Sequence, residues 1–252
     1  MQEIQEHLKQ IEKQKGIKIL YACETGSRAW GFPSPDSDFD IRFLYMHEKD
    51  WYLSLGTRKD TIETMQGDFD ITGWDLRKSL VLLKKSNTAL IERFQSPIEY
   101  YSVPGFKEDF KKLIDQYYTP VAVFYHHYSL AKKFWEDLKN SDTIKLKAYF
   151  YLVRSLLSCN WIIKCNEVLP MDIEGLMALT TEANRTILRS LIQLKSTFGE
   201  KYLHKKDALL QTLVIELWDI AEAGKDNLGT NGTNYSFLDA FFLKTLYANT
   251  NY

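Results

Sequence analysis

The stretch Asp38-Phe39-Asp40-Ile41-Arg42-Phe43-Leu44-Tyr45 constrains this chain more than any other. Its apolar residues at 39, 41 and 43 alternate with polar ones, and side chains on a β-strand point to opposite faces with a period of two. A strand here therefore has one apolar face, with Asp38 and Asp40 pointing together from the other. Two same-facing carboxylates offer hard oxygen donors to one point. Magnesium takes such ligands, usually one or two carboxylates supplemented by waters and substrate phosphates.

Upstream, Ile17-Lys18-Ile19-Leu20-Tyr21-Ala22-Cys23 reads as a short buried strand that runs out at Glu24-Thr25-Gly26-Ser27. Gly26 has no Cβ and tolerates positive φ, so the backbone there can approach a triphosphate. Ser27 adds a hydroxyl donor. Arg28-Ala29-Trp30 begins a short helix whose free N–H groups face the same anion. Pro33-Ser34-Pro35-Asp36-Ser37 turns the chain back into the aspartate strand. A lone Gly-Ser or a lone Asp-x-Asp is common and is usually a turn or a solvated strand edge. The ordered set of strand, Gly-Ser, short helix, turn and Asp-x-Asp strand points to metal-dependent nucleotidyl transfer, with phosphate and metal in one crevice.

Gly26-Ser27-Arg28-Ala29-Trp30-Gly31 through Ser37-Asp38-Phe39-Asp40 resembles the signature of the DNA polymerase beta-type nucleotidyltransferase superfamily. Asp70-Ile71-Thr72-Gly73-Trp74-Asp75-Leu76-Arg77-Lys78, with Asn87 and Ser96-Pro97 beyond, narrows the likeness. Together these segments look like the predicted nucleotidyltransferases associated with RNA-repair gene clusters, the RlaP/YcgL-like group. The likeness runs from about Ile17 to Tyr101, with a weaker helical echo at Lys147, Tyr149, Tyr151 and Arg154.

The resemblance implies a third carboxylate on a neighbouring strand. Thr61–Met65 and Phe69–Thr72 read as strands joined around Gln66-Gly67-Asp68. Asp68, Asp70 and Asp75 are the candidates. Asp68 sits at the turn and Asp75 at a helix N-cap position. Asp70 remains, facing opposite to Phe69 and Ile71, and the family motif also places the third acid there. The implied chemistry is in-line attack of a hydroxyl on the α-phosphate of a nucleoside triphosphate, with Mg2+ held by Asp38, Asp40 and Asp70. Gly26, Ser27, Arg28, Arg42 and Lys78 are candidate nucleotide contacts, although surface charge is the commoner role of any single Lys or Arg. Lys147, Tyr151 and Arg154 fall at i, i+4 and i+7 and share a helix face that could clasp the triphosphate or the acceptor. A snorkelling rim over buried tyrosines is the competing reading.

Composition bounds the rest. A formal net charge of −1 provides no global basic field, so an RNA acceptor needs a local patch. Small-molecule and protein hydroxyls remain open as acceptors, and a nucleotide-binding regulatory module without turnover is the alternative from another class. Cys23, Cys159 and Cys165 have no metal-ligand spacing, and an odd number without a signal peptide fits a reducing cytoplasm. His126-His127 point about 100° apart on a helix and read as packing residues. The fold expected is α+β: a mixed-sheet nucleotidyltransferase domain over 1–104, then helices alone over 105–252. Those helices are expected at Leu113–Leu138, Ile144–Ile163, Ile173–Leu194 and Ala208–Ala223, with a loop over Gly224–Asn234 and a short aromatic helix docking at Phe237–Leu243.

Overall fold

The computed structural model describes residues 1–206, 208–230 and 234–248. In its first half, helix α1 (Gln2–Lys15) leads into strand β1 (Lys18–Thr25), the short helix α2 (Gly26–Trp30) and strand β2 (Phe39–Met46). Then come α3 (Lys49–Leu53), β3 (Thr61–Gln66), β4 (Phe69–Asp75), α4 (Leu76–Lys84), α5 (Thr88–Gln95) and β5 (Glu99–Ser102). The second half holds α6 (Phe106–Tyr117), α7 (Pro120–Leu138), β6 (Thr143–Lys145), α8 (Leu146–Cys165) and α9 (Ile173–Met177). It closes with α10 (Glu182–Thr197), β7 (Leu203–Lys205), α11 (Ala208–Gly224) and α12 (Ser236–Ala248). The fold is α+β, as expected.

Five strands form one mixed sheet in the order β3-β4-β2-β1-β5. Only β2 and β4 run parallel, and their register sets Asp40 opposite Asp70 and Ile41 opposite Ile71. The strand alternation works as read from sequence. Ile41, Phe43, Tyr45 and Ile71 join Ile4, Leu8 and Ile11 of α1 in a buried cluster. Each such side chain contributes about 1.5–3 kcal/mol on burial, which fixes the strand's parity and leaves Asp40 and Arg42 on the other face. The β3–β4 hairpin turns at Gly67-Asp68, and Asp75 caps α4 by accepting the Arg77 N–H at 2.8 Å.

The chain packs into two compact units, and they do not divide at residue 105. One contains Met1–Gly26, Asp38–Tyr118 and the described residues 234–248; the other contains Ser27–Ser37 and the described residues from Thr119 to Thr230. Helix α6 belongs with the sheet because Phe110 stacks on Phe94 of α5 at 4.1 Å and meets Phe241 of α12. Helix α12 docks on the same unit, with Phe242 against Tyr52 of α3. The excursion between β1 and β2 joins the helical unit, where Phe32 stacks on Phe150 of α8 at 4.8 Å.

Several expected elements are corrected. The helix foreseen over 113–138 is two helices, because Pro120 at the first helical position of α7 cannot continue α6. The helix foreseen over 173–194 breaks between α9 and α10, where the Thr181 hydroxyl caps α10. Strand β5 and the small β6–β7 pair had no alternating signal to announce them. Within the stretch expected as a loop, Lys225–Asn227 form a turn of 3-10 helix, and residues 231–233 lie outside the described residues.

Candidate active site

In the sheet unit, Asp40 and Asp70 converge on one cation. Arg42 Nη2 donates to Asp40 Oδ1 at 2.9 Å and to Asp70 Oδ2 at 2.8 Å, while its Nη1 donates to the Asp70 carbonyl at 2.8 Å. Two carboxylates brought together by strand register repel, and a guanidinium between them offsets that charge. Arg42, expected as a phosphate contact, is thus the carboxylates' counter-ion in this structure. Asp38 stands exposed immediately ahead of β2.

Gly26 makes the approach of Asp40 possible. Its φ is +62°, and a Cβ built on it would lie 2.0 Å from Asp40 Oδ2. No residue with a side chain fits there without moving that carboxylate. Asp40 itself is fixed from behind: its N–H donates to Glu24 Oε1 at 2.8 Å, and its carbonyl accepts from the Thr25 hydroxyl at 3.1 Å. Glu24 is fully buried, and its Oε2 accepts the Tyr100 hydroxyl at 2.5 Å. Sequence reasoning missed Glu24. Its signal was present: an acid at the end of an apolar strand, just ahead of the Gly-Ser bend, must have dedicated donors if the strand is buried.

The fit to magnesium rests on the donor set. Asp40 and Asp70 present hard anionic oxygens to one cationic position, which suits a small divalent ion. Among the described residues no group of three or more His, Cys, Asp or Glu side chains is placed to hold a metal ion. The geometry therefore supplies two converging acids, while Asp38 lies just outside β2.

Other candidates fall elsewhere. Lys78 Nζ is engaged by Asp60 Oδ1 at 2.8 Å and by the Thr61 hydroxyl at 2.5 Å, on the β3 side of α4. In the helical unit Ser27 is buried and its hydroxyl donates to Ser37 Oγ, while Arg28 Nη2 donates to the Ser37 carbonyl at 2.7 Å. Arg154 is buried, donates to the Met171 carbonyl at 3.0 and 3.3 Å, and lies over the Trp30 ring at 4.4 Å. That placement is a structural cation's, and it places Trp30 in the helical packing as well. Tyr151 meets the edge of Trp30 at 5.1 Å. Lys147 pairs with Glu200 at 2.8 Å. Lys147 and Tyr151 line a cleft of about 560 Å³ with Lys145, Lys201, Phe134 and Glu200. His127 is buried as a packing residue, and burial holds its imidazole well below the usual histidine range.

Comparison with known proteins gives this arrangement a family. Residues 1–244 match the RNA repair pathway DNA polymerase beta family, RlaP. The chain is 39% identical over 249 residues to an uncharacterized protein of Bacillus subtilis strain 168, YcgL, covering 97% of this chain and 96% of that one. A solved nucleotidyltransferase-like protein from Exiguobacterium sibiricum aligns with 87% of this chain and 75% of its own at 11% identity and a TM-score of 0.30. That structural likeness is too slight to bear on the argument. No helix among the described residues is long and apolar enough to cross a membrane.

Proposed function

The chain belongs to the RNA repair pathway DNA polymerase beta family, and from that premise we propose that it is a magnesium-dependent nucleotidyltransferase acting on a hydroxyl acceptor, with an RNA end the favoured acceptor. One observation carries the reading: Asp40 and Asp70, cross-strand partners in the parallel pair, meet at a single cationic nitrogen beside the backbone of Gly26.

In this scheme the acceptor oxygen attacks the α-phosphorus of a nucleoside triphosphate. The new O–P bond forms as the bond to the β-phosphate oxygen breaks, and pyrophosphate leaves. Asp70 takes the hydroxyl proton at a carboxylate oxygen. Asp40 and Asp70, with Asp38, would hold a magnesium ion, which would supply charge neutralisation at the entering and leaving oxygens. Arg42 offsets the charge of the two acids by pairing with both. Arg28 would offer its guanidinium to the phosphates, whereas the Ser27 hydroxyl proton already goes to Ser37 Oγ. In the helical unit, the cleft lined by Lys145, Lys147 and Lys201 also holds Asp36 and Glu200, and Lys147 pairs with Glu200.

The test is incubation with each α-labelled triphosphate and magnesium, with and without cellular RNA. Magnesium-dependent transfer of label to RNA, lowered about a hundredfold or more in Asp40→Asn and Asp70→Asn, supports the proposal. Label on metabolites or protein in place of RNA would move the acceptor. A triphosphate-binding module without turnover draws on the lack of a three-carboxylate group among the described residues; binding without pyrophosphate release across all acceptor fractions would favour it.

A further inference from the structure

Lys195 on α10 is only 2% exposed, although lysine is rarely buried. Its ammonium donates to the Phe32 carbonyl at 2.8 Å and to the Ser34 hydroxyl at 2.6 Å. Both acceptors are neutral, and both belong to the excursion between β1 and β2, more than 160 residues away in sequence.

From these two contacts, two hydrogen-bonded paths lead to Ser27. In one, the Phe32 N–H donates to the Ser27 carbonyl at 3.0 Å. In the other, the Ser34 N–H donates to Ser37 Oγ at 2.9 Å, and Ser37 Oγ also accepts the Ser27 hydroxyl at 3.1 Å. Arg28 closes the set by donating to the Ser37 carbonyl at 2.7 Å. Ser27, Ser34 and Ser37 are all buried. The two ends of the excursion, residues 27 and 37, are thus bonded to each other and through Ser34 to Lys195.

We propose that Lys195 is a positioning residue for the Ser27–Ser37 excursion, fixing the guanidinium of Arg28 for an incoming triphosphate through this buried serine chain. The triphosphate part rests on the transferase reading; the tether itself does not. Burial lowers the ammonium to about 8, with Glu200 and Asp36 opposing that shift and Lys147 adding to it. The excursion also has supports that do not involve Lys195. Phe32 stacks on Phe150, and the Asp36 carboxylate accepts the Glu200 N–H at 3.0 Å. Loss of the ammonium should therefore loosen the hydrogen-bonded chain without unfolding the unit.

The experiment uses the full chain with Lys195→Met, which keeps the length and removes the donor, and Ser34→Ala, which keeps Lys195 and removes its hydroxyl acceptor. Amide hydrogen exchange is followed over residues 27–37, with α8 and α11 as controls, and binding of each ribonucleoside triphosphate with magnesium is measured by calorimetry. Exchange at least tenfold faster in 27–37 alone, with triphosphate binding at least tenfold weaker, supports the proposal. Exchange and binding within twofold of wild type in both variants overturn it, as does loss of protection spread over the whole helical unit. If the wild-type chain binds no triphosphate, the transferase reading falls, and the exchange pattern alone decides the tether.

Discussion

Replacing Gly26 by alanine tests the link between the Gly-Ser bend and the Asp40–Asp70 carboxylate pair. Two costs add. The left-handed backbone at φ +62° disfavours any residue with a Cβ by about 1–2 kcal/mol. The new methyl would also lie 2.0 Å from Asp40 Oδ2, so the carboxylate must retreat by about 1 Å or more to reach a tolerable contact. The Asp40 backbone cannot yield instead, because Glu24 Oε1 and the Thr25 hydroxyl hold its N–H and carbonyl. The side chain moves, and its bond to Arg42 Nη2 is lost or lengthened. A total near 2–4 kcal/mol corresponds to a fall in Tm of about 4–16 °C in a chain of this size. A displacement of about 1 Å in a reacting group lowers transfer roughly a hundredfold. Gly16→Ala is the control, since Gly16 has φ +58° and no atom within 4 Å of a built Cβ. It should lose only the backbone cost, with transfer unchanged. Differential scanning fluorimetry and label transfer to RNA measure the two effects. Equal behaviour of the two alanine variants in both assays would refute the close approach.

Other consequences follow from buried groups. Tyr100→Phe removes the hydroxyl that donates to buried Glu24 Oε2, and loss of a buried carboxylate's donor should cost about 1–3 kcal/mol, read as a lower midpoint in urea at unchanged slope. His127 gives a pH dependence of definite sign. Its folded-state pKa lies well below the usual 6.5, so between those values the unfolded chain binds a proton that the folded chain refuses. The stability it contributes is present above about pH 6.5 and is lost as pH falls. Thermal melts from pH 7 to 5 should show a falling Tm in wild type and a flatter profile in His127→Leu; parallel profiles would show that other groups carry the acid sensitivity.

Local pattern determined much of this molecule. The alternation from Phe39 to Tyr45 made the strand and its parity, Gly67-Asp68 made the hairpin, and Asp75 made a helix cap, because each depends on neighbours a few residues away. The motif around Gly26, Asp38 and Asp40 was likewise legible, and so was the family. Tertiary structure decided the rest. Strand register put Asp70 opposite Asp40 and so turned Arg42 into their shared counter-ion, which no spacing along one strand reveals. Packing assigned the 27–37 excursion to the helices and α6 to the sheet. It buried Arg154 and placed Glu24 behind Asp40. Period and turn chemistry are properties of adjacent residues, whereas register, charge pairing and burial depend on which distant segments meet, and that information is spread over the whole chain.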